Sequence, residues 1–227
     1  TYEDNTDVGT ATATVTLKGN YGGTATANFA IKAGISDAIV TGIEDKEYTG
    51  SAMTQEIEVT LGETPLTANT DYTVSYEDNT NTGTATVTIT GEGNYTGTIT
   101  ETFEITAKAV SDLTIADIDA QTYTGSAIEP DVTVSSETLT TAGLSFSASD
   151  YDVTYENNTN AGTATVTVTL KGNYSGTATK DFTINAMTVS DLTIATIDDQ
   201  EYTGSAIEPS VTVSSSALEA AGLTLQE

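Results

Sequence analysis

The sequence predicts an all-β protein: a tandem array of antiparallel immunoglobulin-like β-sandwich modules of about 75–79 residues. Three observations lead there. The chain repeats itself: Tyr-Thr-Gly-Ser-Ala stands at Tyr48–Ala52, Tyr123–Ala127 and Tyr202–Ala206. Tyr-Glu-(Asp/Asn)-Asn-Thr starts at Tyr2, Tyr76 and Tyr155, and Gly-Asn-Tyr-x-Gly-Thr starts at Gly19, Gly93 and Gly172. Polar and apolar residues alternate along Thr10–Leu17, Thr84–Ile89 and Thr163–Leu170, the period of a half-buried strand. Finally, Asn- and Gly-rich clusters punctuate the chain at turn spacing.

Aligning the repeats places boundaries near Gly34, Ala109 and Thr188. Residues 34–108 and 109–187 are then complete modules, 1–33 the C-terminal part of one and 188–227 the N-terminal part of another. Within 109–187, short strands are expected at Leu113–Ile118, Gln121–Thr124, Val132–Ser135 and Leu144–Ala148. Pro130 and Pro209 sit just before a strand, where a missing amide proton is tolerated. Ser136–Gly143 and Ser216–Gly222 are the segments able to hold a helical turn. Tyr151, Val153 and Tyr155 share one face of the next strand, and Glu156–Gly162 is a turn with left-handed positions. In the following strand Ala164, Val166, Val168 and Leu170 face the core, while the threonines, β-branched and polar at once, face water or a neighbouring strand. Gly172–Gly176 turns the chain into Thr177–Ile184, with Phe182 and Ile184 inward. No Pro-, Gly- or Ser-rich linker separates the modules, so little bending is expected between them.

The composition excludes several function classes. The formal charge is −27, with six lysines and neither arginine nor histidine. Such a field repels phosphate backbones and anionic membrane surfaces, and no apolar run approaches a membrane span. The absence of cysteine removes disulfide staples, so each module must hold by packing and strand pairing. Without histidine, cysteine or arginine, triads, thiolates and transition-metal sites have no ligands to draw on. Paired carboxylates are conceivable at Asp150 and Asp152, yet the counterpart of Asp152 is Thr73, which favours solvated surface charge. No catalytic, cofactor-binding or metal-binding residues are therefore assigned, and the chain is not read as an enzyme.

Calcium is the one cofactor weighed. Glu3-Asp4-Asn5-Thr6-Asp7 and Glu77-Asp78-Asn79-Thr80-Asn81 cluster oxygen ligands, but Glu156-Asn157-Asn158-Thr159-Asn160 loses carboxylates at the same place, so ordinary turns are expected. A lysine–asparagine isopeptide bond needs a buried lysine beside an acid; Lys18 and Lys171 correspond, but Glu92 replaces them in the middle copy. The tyrosines all fall at four repeat positions, and core or corner roles are expected for them, with stacking on a glycan as the alternative.

The strings at Tyr123–Pro130, Asp150–Val166, Gly172–Thr177 and Phe182–Ile184 resemble a bacterial immunoglobulin-like repeat common in large surface proteins of Gram-positive bacteria. The resemblance covers both whole and both partial modules, and departs in the acidic Glu77-Asp78 and Glu156. It implies a stalk or spacer at the cell surface and assigns no catalytic residues. The preferred reading is a structural segment of a long extracellular fibre, stalk or adhesin, serving extension and display. One alternative is a self-assembling filament subunit, identical chains joining head to tail as 188–227 of one completes 1–33 of the next, at the expense of about half of a central strand. Another is a carbohydrate-binding array that meets cell-surface glycans.

Overall fold

The computed structural model describes residues 1–224. The chain gathers into two compact units: Thr1–Ala109 with Gly172–Ser175, and Val110–Lys171 with Gly176 onward.

In the first unit, the strands Gly83–Gly91 and Thr98–Thr106 form the central antiparallel hairpin, with Ala85 opposite Phe103 and Ile89 opposite Ile99. Tyr72–Glu77 pairs with one edge and Lys46–Glu47, running parallel, with the other. A second sheet of Ile39–Thr41, Glu58–Leu61 and Thr64–Pro65 supplies the opposing layer. Between them Val59, Tyr72, Ala85, Val87, Ile89 and Phe103 are buried in one cluster. This is a β-sandwich, and its alternating threonines lie on the outer face as the period-two pattern requires. Residues 1–33 repeat the hairpin as Gly9–Thr16 and Thr24–Ile31, with Tyr2–Glu3 alongside. No second sheet covers that hairpin among the described residues, and Val15, Leu17 and Phe29 stay exposed.

The second unit repeats the plan. Gly162–Leu170 and Thr177–Asn185 form the hairpin, flanked by Tyr151–Glu156 and by the parallel strand Gln121–Thr122. The facing pair Thr114–Ile115 and Val134–Ser135 covers it. The same pair recurs as Thr193–Ile194 and Val213–Ser214, there with no hairpin beneath it among the described residues. The hairpin pairings are antiparallel, while Lys46–Glu47 and Gln121–Thr122 run parallel to the strands they flank.

Three expectations need correction. The strands of the module front are shorter than the alternation suggests, two residues each at Thr114–Ile115, Gln121–Thr122 and Val134–Ser135. Leu144–Ala148 forms no strand. A 3-10 turn covers Ala148–Asp150 instead, because the Asp150 carboxylate accepts from the Ser147 amide at 2.6 Å and from its hydroxyl at 2.5 Å. Tyr151–Glu156 is an edge strand, not a central one.

The expected helical turns form at Glu137–Thr141 and Ser216–Ala220, capped by Ser136 and Ser215. Where 109–187 is longer than 34–108 the extra residues make such a turn. In the shorter copy Gly62, at φ 61°, closes a tight hairpin into Thr64–Pro65 instead. An aspartate clamps each helical turn. Asp112 accepts from the Ser136 hydroxyl at 2.6 Å and the Thr138 amide at 2.8 Å, and Asp191 accepts from the Ser216 hydroxyl at 2.6 Å and the Ala217 amide at 2.8 Å. Hydrogen bonds from Ser215, Ser216 and Ala217, the first the largest, hold the Asp191 carboxyl down at about 2, and bonds from Ser136 and Thr138 lower Asp112.

A carboxylate whose folded pKa is depressed contributes stability above its unfolded value and loses it as pH falls through the folded one. The Asp191 clamp is therefore expected to hold fully above about pH 5 and to release as pH falls from about 4 to about 2. A carboxyl-carbon NMR titration of Asp191 should show its midpoint near 2.

Gly176 adopts φ 149°, and a Cβ there would lie 2.4 Å from the Val110 carbonyl oxygen. Gly176→Val is expected to destabilise the second unit by about 2–3 kcal/mol. Hydrogen exchange should show lost protection in Gly162–Leu170 while Gly83–Gly91 keeps its own.

Candidate functional site

The Glu-Asx-Asn-Thr turns gather oxygen-bearing side chains in a short stretch. Asp4, Asp78 and Asn157 sit at φ 54°, 55° and 55°, the left-handed position where Asp and Asn are tolerated best. The next side chain turns inward. Asn79 Nδ2 donates to the Met53 carbonyl at 2.6 Å, and the Met53 amide donates back to the Asn79 carbonyl at 2.8 Å. Asn158 and Ile128 repeat the exchange at 3.1 and 2.8 Å. The turn thus fastens the hairpin of a sandwich to its front half. Among the described residues no three acids converge on a point.

A tyrosine reinforces each clasp. The Tyr76 hydroxyl donates to the Gln55 carbonyl at 3.2 Å and accepts from the Gln55 amide at 2.9 Å. The Tyr155 hydroxyl donates to the carbonyl of Pro130, the counterpart of Gln55. Burial first, then Glu129 and Asp131, pushes the Tyr155 phenol up, so it remains a donor at neutral pH. Tyr72 likewise donates to the Ile57 carbonyl at 3.0 Å.

The third repeated string makes a different contact. Within the first unit, Gly172-Asn173-Tyr174 is held by Tyr48, Asn81, Thr82 and Lys108. Asn173 Oδ1 accepts from the Thr82 amide at 2.9 Å, and its Nδ2 donates to Asn81 Oδ1 at 3.0 Å. The Thr82 hydroxyl donates to the Gly172 carbonyl at 3.2 Å, and the Lys108 amide to the Asn173 carbonyl at 2.9 Å. The Tyr174 ring meets Tyr48 edge-on at 5.6 Å and 86°, a geometry aromatic pairs favour. Lys108–Ala109 runs parallel to Tyr174–Ser175, as Ala33–Gly34 runs parallel to Tyr95–Thr96. Sequence reasoning treated Gly-Asn-Tyr as a turn and missed this seat. The signal was there in Asn173, whose amide a turn alone does not require.

Other candidates disperse. Asp152 pairs with Lys171 while Asp150 caps the 3-10 turn, so the two carboxylates serve separate partners. Lys171 lies at the surface in that ion pair, not in the buried setting an isopeptide needs. In 34–108 and 109–187 the tyrosine rings are buried or half-buried, and the exposed ones are Tyr2, Tyr21 and Tyr202.

Residues 111–188 match the MBG domain family. The chain as a whole extends well beyond that match on its N-terminal side. A search of curated proteins finds no match. Among solved structures, one titled "Protocadherin gammaB7 EC3-6 cis-dimer structure" is similar at 12% identity and a TM-score of 0.24, over 83% of this chain and 61% of that one. The chain thus spans about three fifths of that structure's length. At that score the likeness bears on neither fold nor function.

Asn173→Ala removes the side-chain bonds to Thr82 and Asn81 and is expected to cost about 1–2 kcal/mol. The Thr82 amide should then exchange faster, which native-state hydrogen exchange reads directly.

Proposed function

We propose that this chain is a structural repeat segment of an extracellular bacterial surface fibre, stalk or adhesin, working through extension and display and not through catalysis. The observation that carries this reading is how the recurring residues are used. Asn79 and Asn158 fasten sandwich halves, Tyr76 and Tyr155 do the same, and Asn173 and Tyr174 fill a seat made by Tyr48, Asn81, Thr82 and Lys108. A motif spent on holding and joining modules serves mechanical continuity. The MBG domain match over 111–188 supports a repeat role, and the acidic surface supports solubility outside the cell. No helix among the described residues is long and apolar enough to cross a membrane, so attachment would fall to other segments or partners.

Antibodies raised against the chain should label intact cells of the source organism, and protease treatment of those cells should remove the label. Pulled between its ends, the chain should unfold in two major steps, each lengthening it by about 25 nm. Labelling that requires lysis would overturn the extracellular reading. A featureless extension at low force would overturn the mechanical one.

A further inference from the structure

In each complete module, the segment by which the chain enters is tied directly to the strand by which it leaves. In the first unit Lys46–Glu47 runs parallel to Thr98–Thr106, with Lys46 beside Ile105 and Glu47 beside Thr106. The Tyr48 amide extends that ladder to the Thr106 carbonyl at 2.9 Å. Further upstream, Ala33–Gly34 runs parallel to Tyr95–Thr96, and Gly97 alone separates those residues from the same leaving strand. The second unit repeats the inner pair. Gln121 lies beside Ile184 and Thr122 beside Asn185, and the Tyr123 amide donates to the Asn185 carbonyl at 2.9 Å.

Tension on the chain draws the entering segment back toward its N-terminus and the leaving strand on toward its C-terminus. In a parallel pair these pulls run in opposite directions along neighbouring strands, so the bonds between them share the load and must break together. An antiparallel hairpin pulled at its two free ends would open one bond at a time. We propose that these parallel pairs are the load-bearing clamps of the two modules, and that the clamps are graded, 34–108 outlasting 109–187 under tension. The proposal rests on the mechanical reading above and adds where the load is borne. The antiparallel ladders to Gly83–Gly91 and Gly162–Leu170 take up load only after a clamp has parted.

The grading follows from side chains. In the first clamp the Glu104 amide donates to Asp45 Oδ1 at 2.8 Å and the Thr106 hydroxyl to the Lys46 carbonyl at 3.3 Å. The Ala109 amide donates to Glu47 Oε1 at 3.1 Å. Each of these bonds crosses from the entering segment to the leaving one, and each has to break along with the ladder. In the second clamp Ala120 and Thr122 stand at the places of Asp45 and Glu47, and neither offers a carboxylate. An ion pair crosses there instead, Lys180 Nζ to Asp117 Oδ1 at 2.6 Å, with the Asp117 side chain 97% exposed. A pair so open to water holds weakly.

Single-molecule pulling of the whole chain tests this. About ten glycines inserted after Gly143, in an exposed loop, lengthen the second unit's step by about 3.5 nm and so identify it. The longer step should come first, at the lower force. Asp45→Ala with Glu47→Ala should raise the first unit's rate of forced unfolding about tenfold and lower the force of its step. Glu77→Ala with Glu101→Ala removes the same charge outside the clamp and should leave both forces unchanged. The replaced acids are all exposed, so the variants should fold, and unchanged amide protection in Gly83–Gly91 would verify this. Asn79→Ala loosens the clasp to Met53 and should lower the equilibrium stability of the first unit without lowering its unfolding force. A force indifferent to the loss of Asp45 and Glu47 would overturn the proposal. So would an equal fall in force with Asn79→Ala, or the shorter step coming first. Any of these results, with two steps still present, leaves the mechanical reading standing, whereas a featureless extension removes that reading as well.

Discussion

A two-residue period leaves each long hairpin of this protein apolar on one face, and that face has to be covered. Ala85, Val87 and Ile89 on one hairpin, and Ala164, Val166 and Val168 on the other, are withdrawn from water only because the short front strands lie across them. Burying a valine- or isoleucine-sized side chain contributes about 1.5–3 kcal/mol, so a few such residues decide whether a module of this size folds at all. With no cysteine to staple the layers, the cover must be fastened by other means. The asparagine and tyrosine clasps do this, each satisfying a backbone carbonyl that the irregular front strand leaves without a ladder partner.

The same economy explains the short, irregular front strands. Two-residue ladders such as Thr114–Ile115 with Val134–Ser135 leave many backbone groups without sheet partners. Aspartates take several of them: Asp112 and Asp191 on the helical turns, Asp150 on the 3-10 turn, and Asp71 on the Thr67 amide at 2.8 Å. Part of the strong negative charge is therefore structural. It caps loops while the rest of it faces water and discourages edge-to-edge pairing between the exposed sheets.

Much of the fold was legible because period two and period 3.6 are unlike. Thr163–Leu170 reads as a half-buried strand, and Ser136–Gly143 as a stretch able to hold a helical turn, which the structure caps with Ser136. Leu144–Ala148 misled because its alternation is real, yet Ser147 and Asp150 bond locally and bend the backbone out of the sheet. The position of Tyr151–Glu156 at an edge was equally illegible, since alternation tells which way a side chain faces and nothing about how many neighbours a strand has. The seat of Gly172–Tyr174 lay out of reach for a related reason. Its partners Tyr48, Asn81 and Thr82 are far away in sequence, and each has a plausible local role of its own.

The sequence by itself determined the repeat, the all-β class, the inward positions of each long strand and the want of histidine, cysteine and arginine, because these follow from residue identity and spacing along one chain. The tertiary structure decided which carbonyl each turn asparagine takes, which strands stand at edges, and what holds the Gly-Asn-Tyr loop. These depend on which surfaces meet, and a linear pattern specifies the character of a surface without specifying its partner.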